Sequence, residues 1–428
     1  MLLTCDKFIN VNRLYNNLGG LMETKEVVIV SACRTAIGKF CGEFKNVSAR
    51  DLGIAAGKEA IKRAGVDAKA VDEIVMGQVY GGMQGSLPAR QVSMRIGMSI
   101  ESNAVTVNQN CASGMRALEI ACNDIQLGKS DIALVVGTEN MSQVPFMLPN
   151  ARMGYRMGSI PQAGGAALYD ALLHDALYDE LSGGHMGATA DNVAKLYNIT
   201  REECDELAVM SHQRACKATD EGKFKDELIP IVEHTRKGDV VHDTDEHMIR
   251  GCNLETISKL RTVFNKDGVT TAANASGIND AAAAVVVMSL DKAKELGIQP
   301  MAKMLYICGK GVEPEYMGLG PAVAIPECLD RAGVKFDDVD YWEVNEAFAA
   351  QFIGVERKLK EDYGYIVDRN KTNLNGSGIS LGHPVGCSAL RIIVTMLYEM
   401  QRQDAKIGCA SLCVGGGPAM ASLWTREI

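Results

Sequence analysis

"RAGVDAKAVDEIVMGQ" at residues 63–78 and "RAGVKFDDVDYWEVNE" at residues 331–346 share Arg, Ala, Gly, Val, a later Val and Asp without a gap. Farther along, "CASGMRALEI" (111–120) aligns with "HPVGCSALRI" (383–392), matching Gly114 with Gly386, Ala117 with Ala389, Leu118 with Leu390 and Ile120 with Ile392. Both pairs occur in the same order at almost the same offset. Internal self-similarity of this kind restricts the fold to two similar halves about a pseudo-twofold axis.

Within a half, strand and helix signals alternate. "EVVIVSA" (26–32) reads as a buried strand, "ARDLGIAAGKEAIKRAG" (49–65) as an amphipathic helix and "VDEIVMGQV" (71–79) as a strand again. The order predicts an α/β layered fold, for which a doubly wound parallel sheet is the default. The first half is expected to comprise residues 22–141 plus 273–297, where "NASGINDAAAAVVVMSL" returns to its sheet, and the second half residues 298–428. Residues 142–272 lack the alternation and read as an inserted loop or lid domain, with Thr200 capping a helix over "TREECDELAVMSHQRACKATDEG". Residues 1–21 break an apolar pattern with Asp6, Lys7 and Arg13, a poor signal peptide. They read as translated leader before a native start at Met22, or as a disordered arm.

The chain's 428 residues suffice for two or three domains, with 47% hydrophobic and 23% charged residues. A net charge of −9 repels a nucleic-acid backbone. No apolar run approaches the ~20 residues of a membrane span. The thirteen cysteines include no C-x-x-C, and the seven histidines show no metal-ligand spacing. That usage predicts a reducing cytoplasm, with most cysteines as small buried apolar residues.

Two of these residues stand apart. The repeat superposes Cys111 on His383, and each precedes a helix of small residues. Similar halves about a twofold axis would bring the two helix starts together, so that a thiol meets an imidazole able to deprotonate it. Unsatisfied N–H groups and the helix dipole at Cys111 are expected to favour its thiolate. In "LCVGGGPAMA" (412–421), Cys413 offers a second acid/base and the glycines offer backbone N–H groups for an oxyanion. "EVNEAFAAQ" (343–351) places Asn345 and Glu346 just after a strand. The loose Gly376-x-Gly378-x-x-x-Gly382 spacing is a poor dinucleotide fingerprint, and "HDTDEH" (242–247) reads as a solvated charged turn.

These motifs closely resemble the thiolase family, from about Glu26 to the C-terminus. The likeness rests on "NCASGM" at Cys111, "SGGHMGATADNVA" (182–194), "NASGINDAAAA" (274–284), "PEYMGLGP" (314–321), "NEAFAAQ" (345–351), "LGHPVG" (381–386) and "CVGGG" (413–417). Within the family, the lettering is most like acetyl-CoA acetyltransferases. The resemblance implies α-β-α-β-α layers with a loop domain inserted in the first half. It implies Cys111 as acyl-accepting nucleophile, His383 as its activator, and Cys413 as second acid/base. Asn345 would hold a water that forms one oxyanion hole with His383, and the N–H groups of Cys111 and Gly415 would form the other. Ser276, His185, Met186, Met317, Ala347 and Phe348 would line the pantetheine tunnel, with Arg250 near the nucleotide end.

The reaction so implied is reversible Claisen condensation of two acetyl-CoA to acetoacetyl-CoA. Coenzyme A and acyl-CoA act as substrates, with no metal and no permanently bound cofactor. The implied state is a homo-oligomer, dimer or tetramer, in fatty acid metabolism. Ser377, Ala389 and Pro418 depart from the family's commonest lettering, and 157–181 is longer than in short-chain relatives. A 3-ketoacyl-CoA thiolase for longer or modified chains, and a non-catalytic acyl-CoA-binding homologue, are the competing readings.

Overall fold

The computed structural model describes residues 24–158 and 165–428. The leader or arm expected over residues 1–21 lies outside them. Strand β1 (Val27–Thr35) is buried throughout and carries no polar alternation, because layers cover both its faces. Helix α1 (Ala49–Ala64) starts where the Ser48 side chain accepts from the Asp51 N–H, and stops at Gly65 with φ 70°. Strands β2 (Glu73–Gly77) and β3 (Asn103–Val107), helix α2 (Ser113–Gln126) and strand β4 (Ile132–Asn140) follow.

The chain then leaves the sheet for α3 (Met186–Tyr197) and α4 (Arg201–Asp220). Thr200 and Glu203 form a reciprocal capping box at the start of α4. Strand β5 (Asn279–Ser289) re-enters between β1 and β4. The second half runs β6 (Ala302–Gly311), α5 (Pro321–Ala332), β7 (Tyr341–Val344), α6 (Ala349–Tyr363), α7 (Val385–Gln403), β8 (Ile407–Cys413) and β9 (Pro418–Thr425).

The strand order is β3-β2-β4-β5-β1-β6-β9-β8-β7. The set β2-β4-β5-β1 repeats as β7-β8-β9-β6, with the same pairing senses: one parallel pair, then antiparallel neighbours. The default of a doubly wound parallel sheet is therefore corrected to two mixed sheets. They are continuous through a short antiparallel contact of Val28 and Ile29 with Lys303 and Ala302. The quoted repeat recurs in detail. Gly65 and Gly333 end matching helices with φ of 70° and 67°. Asp72 Oδ2 accepts from the N–H groups of Asp131 and Ile132 at 2.8 and 3.0 Å. Asp340 Oδ2 does the same with Lys406 and Ile407 at 2.8 and 3.0 Å.

Helix α1 covers β1, β4 and β5 on one outside, and α5 covers β6 and β9 on the other. Helices α2 and α7 pack on each other between the sheets, completing five α-β-α-β-α layers. The central core there includes Met115, Leu118, Leu390 and Ile393. The helices approach closely because Gly114 has no side chain: a Cβ would stand 2.9 Å from Leu390 Cβ. The inserted α3 and α4 lie on α6 of the second half, so the insertion covers the half that it does not interrupt. Among the described residues, no helix is long and apolar enough to cross a membrane.

Candidate active site

Each side chain of interest sits where a strand or helix ends. Between β3 and α2 the chain turns through Asn110, whose φ of 45° is one that Asn tolerates better than most residues. Asn108 Oδ1 accepts from the Asn110 N–H at 2.9 Å, and Ser113 Oγ accepts from the Gln109 N–H at 2.9 Å and donates to the Asn110 carbonyl at 2.7 Å. These bonds fix the turn that presents Cys111.

In the second half, the His383 N–H donates to Asn279 Oδ1 at 2.9 Å. The Ser388 hydroxyl donates to the Pro384 carbonyl at 2.9 Å and stands 2.6 Å from His383 Nδ1. His383 Nδ1 therefore carries the proton, and Nε2, buried without a partner among the described residues, keeps its lone pair.

Cys111 and His383 share one cavity of about 650 Å³ with Cys413 and Gly415. Ser276, His185, Met186, Met317, Ala347 and Phe348 line it as well. The segments carrying Ser276 and Ala347 are zipped together: the Ser276 N–H donates to the Ala347 carbonyl at 2.8 Å, and the Ala349 N–H to the Asn274 carbonyl at 2.9 Å. Asn110 Nδ2 donates to the Gly415 carbonyl at 3.3 Å, tying the Cys111 turn to the loop after β8. At Gly415 a Cβ would overlap the Met186 methyl, so a side chain there would have to displace Met186. The N–H groups of Cys111 and Gly415 face the Cys111 sulfur.

Two expected residues stand elsewhere. Asn345 is fully buried but does not line the cavity. Neither of its side-chain polar atoms has a partner among the described residues, and its Oδ1 would stand 2.8 Å from a Cβ on Gly378. Arg250 is exposed and pairs with Asp220 at 2.9 Å; its neighbour Ile249 lines the cavity in its place. Ser377, Ala389 and Pro418 do not line the cavity.

The expected thiolate at Cys111 needs correction. The sulfur faces apolar walls, and that desolvation outweighs the two N–H groups, pushing the thiol up to about 11. Burial pushes Cys413 higher still, with the nearby Cys111 adding to it. Burial and the charge of Arg391 hold His383 down to about 4. The resting pair is therefore a neutral thiol and a neutral imidazole.

"HDTDEH" is likewise corrected. His242 lies buried between Glu43 at 3.1 Å and Glu233 at 3.3 Å, Asp245 is buried on Arg34, and His247 lines the cavity. His242, Asp245 and His247 face inward while Asp243 and Thr244 stay exposed, so the segment is in part a wall and not simply a solvated turn. No group of residues able to hold a metal ion occurs among the described residues.

The sequence reading also missed Phe264. It stacks on His185 with centroids 4.5 Å apart and meets Phe348 edge-on at 6.2 Å, building the aromatic wall of the cavity. A lone aromatic in the polar 262–271 stretch was its only sequence signal. His212 belongs to the same wall; the Ile249 N–H donates to its Nδ1 at 3.2 Å.

A family profile described as "Thiolase, N-terminal domain" matches residues 27–291, and "Thiolase, C-terminal domain" matches residues 298–426. The chain belongs to the thiolase family. This thiolase is 48% identical to an acetyl-CoA acetyltransferase of Syntrophomonas wolfei, over 93% of this chain and 98% of that one. It is 47% identical to an acetyl-CoA acetyltransferase of Cupriavidus necator, over 94% and 100%. Among solved structures, that of the acetyl-CoA acetyltransferase from Syntrophomonas wolfei superposes with a TM-score of 0.92 at 56% identity, covering 95% of this thiolase and 100% of that chain. Human mitochondrial 3-ketoacyl-CoA thiolase in complex with CoA gives 0.88 at 38% identity, covering 94% and 98%.

Proposed function

We propose that this thiolase is an acetyl-CoA C-acetyltransferase that condenses two acetyl-CoA to acetoacetyl-CoA and CoA, or runs the reverse thiolysis. One observation carries the reading: a thiol and a neutral imidazole from opposite halves share a cavity with a second thiol and the Gly415 turn. Similarity to proteins named acetyl-CoA acetyltransferase narrows the substrate to acetyl-CoA.

His383 Nε2 takes the proton of Cys111 as the sulfur attacks the thioester carbon. The N–H groups of Cys111 and Gly415, which face the sulfur, would donate to the oxyanion that forms beside it. Cys413 gives its proton to the departing CoA sulfur, leaving acetyl-Cys111, a protonated His383 and a Cys413 thiolate. That thiolate is a strong base because it is buried. It removes the α-proton of a second acetyl-CoA, and the enolate carbon attacks the acetyl carbonyl. Cys111 leaves as thiolate and recovers its proton from His383, while Cys413, whose own proton left on CoA, keeps the α-proton, so all three groups end in their starting protonation states. Asn345 would hold a water that, with His383 Nε2, donates to the enolate oxygen.

Ser276, Ala347 and Met317 would flank the pantetheine arm, with His185, Phe264 and Phe348 against its apolar stretch and Arg250 at the outer nucleotide end. The enzyme is proposed as a cytoplasmic homo-oligomer, dimer or tetramer, serving fatty acid metabolism. The domain limits given above are proposed as its units. The test is acetoacetyl-CoA thiolysis by the purified chain, with intact mass after acetyl-CoA alone. One acetyl group on wild type and none on Cys111→Ala is the expected result; full thiolysis by Cys111→Ala would sink the mechanism.

A further inference from the structure

Glu139, at the end of β4, is 1% exposed, and among the described residues no lysine or arginine pairs with it. Its Oε2 accepts from the N–H groups of Val79 at 2.9 Å and Gly386 at 3.0 Å, and its Oε1 from Tyr80 at 3.2 Å. Val79 and Tyr80 follow β2 in the first half, whereas Gly386 is in the first turn of α7, three residues after His383. A second first-half side chain, Asn279, holds the His383 N–H itself at 2.9 Å. The segment His383–Gly386 is thus gripped at both ends from across the interface. The fit at Gly386 is close: a Cβ there would stand 2.5 Å from Glu139 Oε2.

A buried carboxylate without a cationic partner costs stability unless N–H groups satisfy it. Holding the His383-bearing helix start is what this one does. Asp280, Tyr80, Cys111 and Cys387 are the titratable groups around it.

We infer that Glu139 is a positioning residue of acyl transfer, which fixes His383 relative to Cys111 through Gly386. The inference rests on the acyl-transfer reading above. The two come apart in the test, because an inactive wild type speaks against that reading and an active wild type with an indifferent Glu139 against this one.

The experiment compares full-length wild type, Glu139→Gln and Asn279→Ser in acetoacetyl-CoA thiolysis, in the pH dependence of Cys111 alkylation by iodoacetamide, and in thermal unfolding. Glu139→Gln should lower kcat by about tenfold to a hundredfold, with KM within about threefold. Its alkylation midpoint should fall by roughly one pH unit, since a nearby negative charge is gone. Asn279→Ser removes a grip but no charge, so kcat should fall with the midpoint unmoved. A Glu139→Gln enzyme within about twofold of wild-type kcat overturns the inference, and so does a KM that rises as far as kcat falls. Should Glu139→Gln fail to fold, Glu139→Asp keeps the charge but shortens the reach: lowered kcat with an unmoved midpoint supports the inference, and wild-type kcat overturns it.

Discussion

The Ser388 hydroxyl sits between His383 Nδ1, 2.6 Å away, and the Pro384 carbonyl, 2.9 Å away, and so decides which imidazole nitrogen keeps its lone pair. Ser388→Ala leaves a buried Nδ1–H without an acceptor, at about 1–3 kcal/mol. Steady-state thiolysis should show kcat down by about tenfold to a hundredfold with KM for acetoacetyl-CoA little changed, because part of the general-base effect is lost. Ser388→Thr keeps the hydroxyl and should recover most of the rate.

The pH profile follows from the neutral pair. His383 accepts a proton only when uncharged, and burial lowers it to about 4. Acyl transfer by Glu139→Gln should therefore hold steady as pH falls through the ordinary imidazole range and fail only toward pH 4, whereas wild type should already decline below pH 7, because burial pushes the Glu139 carboxyl up to about 7 and it takes up a proton there. Direct alkylation of Cys111 needs the thiolate and should keep rising toward pH 11. Transfer by Glu139→Gln that halves near the usual imidazole midpoint of about 6.5 would contradict the neutral pair.

Cys413→Ala separates the half-reactions. Without that thiol no base removes the α-proton, and condensation should drop by about a hundredfold or more. Acetyl-Cys111 should still form, more slowly because Cys413 no longer protonates the departing CoA sulfur, and should persist, which intact mass spectrometry after acetyl-CoA addition detects. An enzyme that condenses normally would transfer the base role away from Cys413.

Gly415→Ala forces a methyl against Met186 and the turn tied by Asn110. Displacing one oxyanion donor costs on the order of a hundredfold in kcat. The Met186 side chain is flexible enough that stability should fall by only about 1–3 kcal/mol, read from denaturant unfolding.

Phe264→Ala removes the ring stacked on His185 and edge-on to Phe348. Such pairs contribute about 0.5–1.5 kcal/mol beyond area burial, so KM for acetyl-CoA should rise severalfold while kcat changes less. A shift confined to kcat would place Phe264 outside the pantetheine wall.

Much of the fold could be read because the chain states it twice. The match of Cys111 with His383 set a thiol opposite an imidazole, and both now line one cavity. The joining of the sheets at Ile29 and Ala302 could not be read, since the short antiparallel contact between halves leaves no local pattern. Asn279, Glu139 and Ser388 escaped for a related reason. Each is an ordinary polar residue until the partner is known, and the first two bond groups 104 and 247 positions away. At Cys111 the competing effects were misjudged. A helix dipole acts on any sequence with a helix start, whereas apolar walls assembled from distant segments exist only in the folded chain.

The pseudo-twofold between the starts of α2 and α7 has a bearing on origin. A symmetric pair of identical half-chains would present the same residue at both helix starts, two thiols or two imidazoles. Joining the copies in one polypeptide lets the equivalent positions be inherited separately. On the proposed mechanism one copy serves as nucleophile and the other as base, a division of labour closed to a homodimer of identical halves.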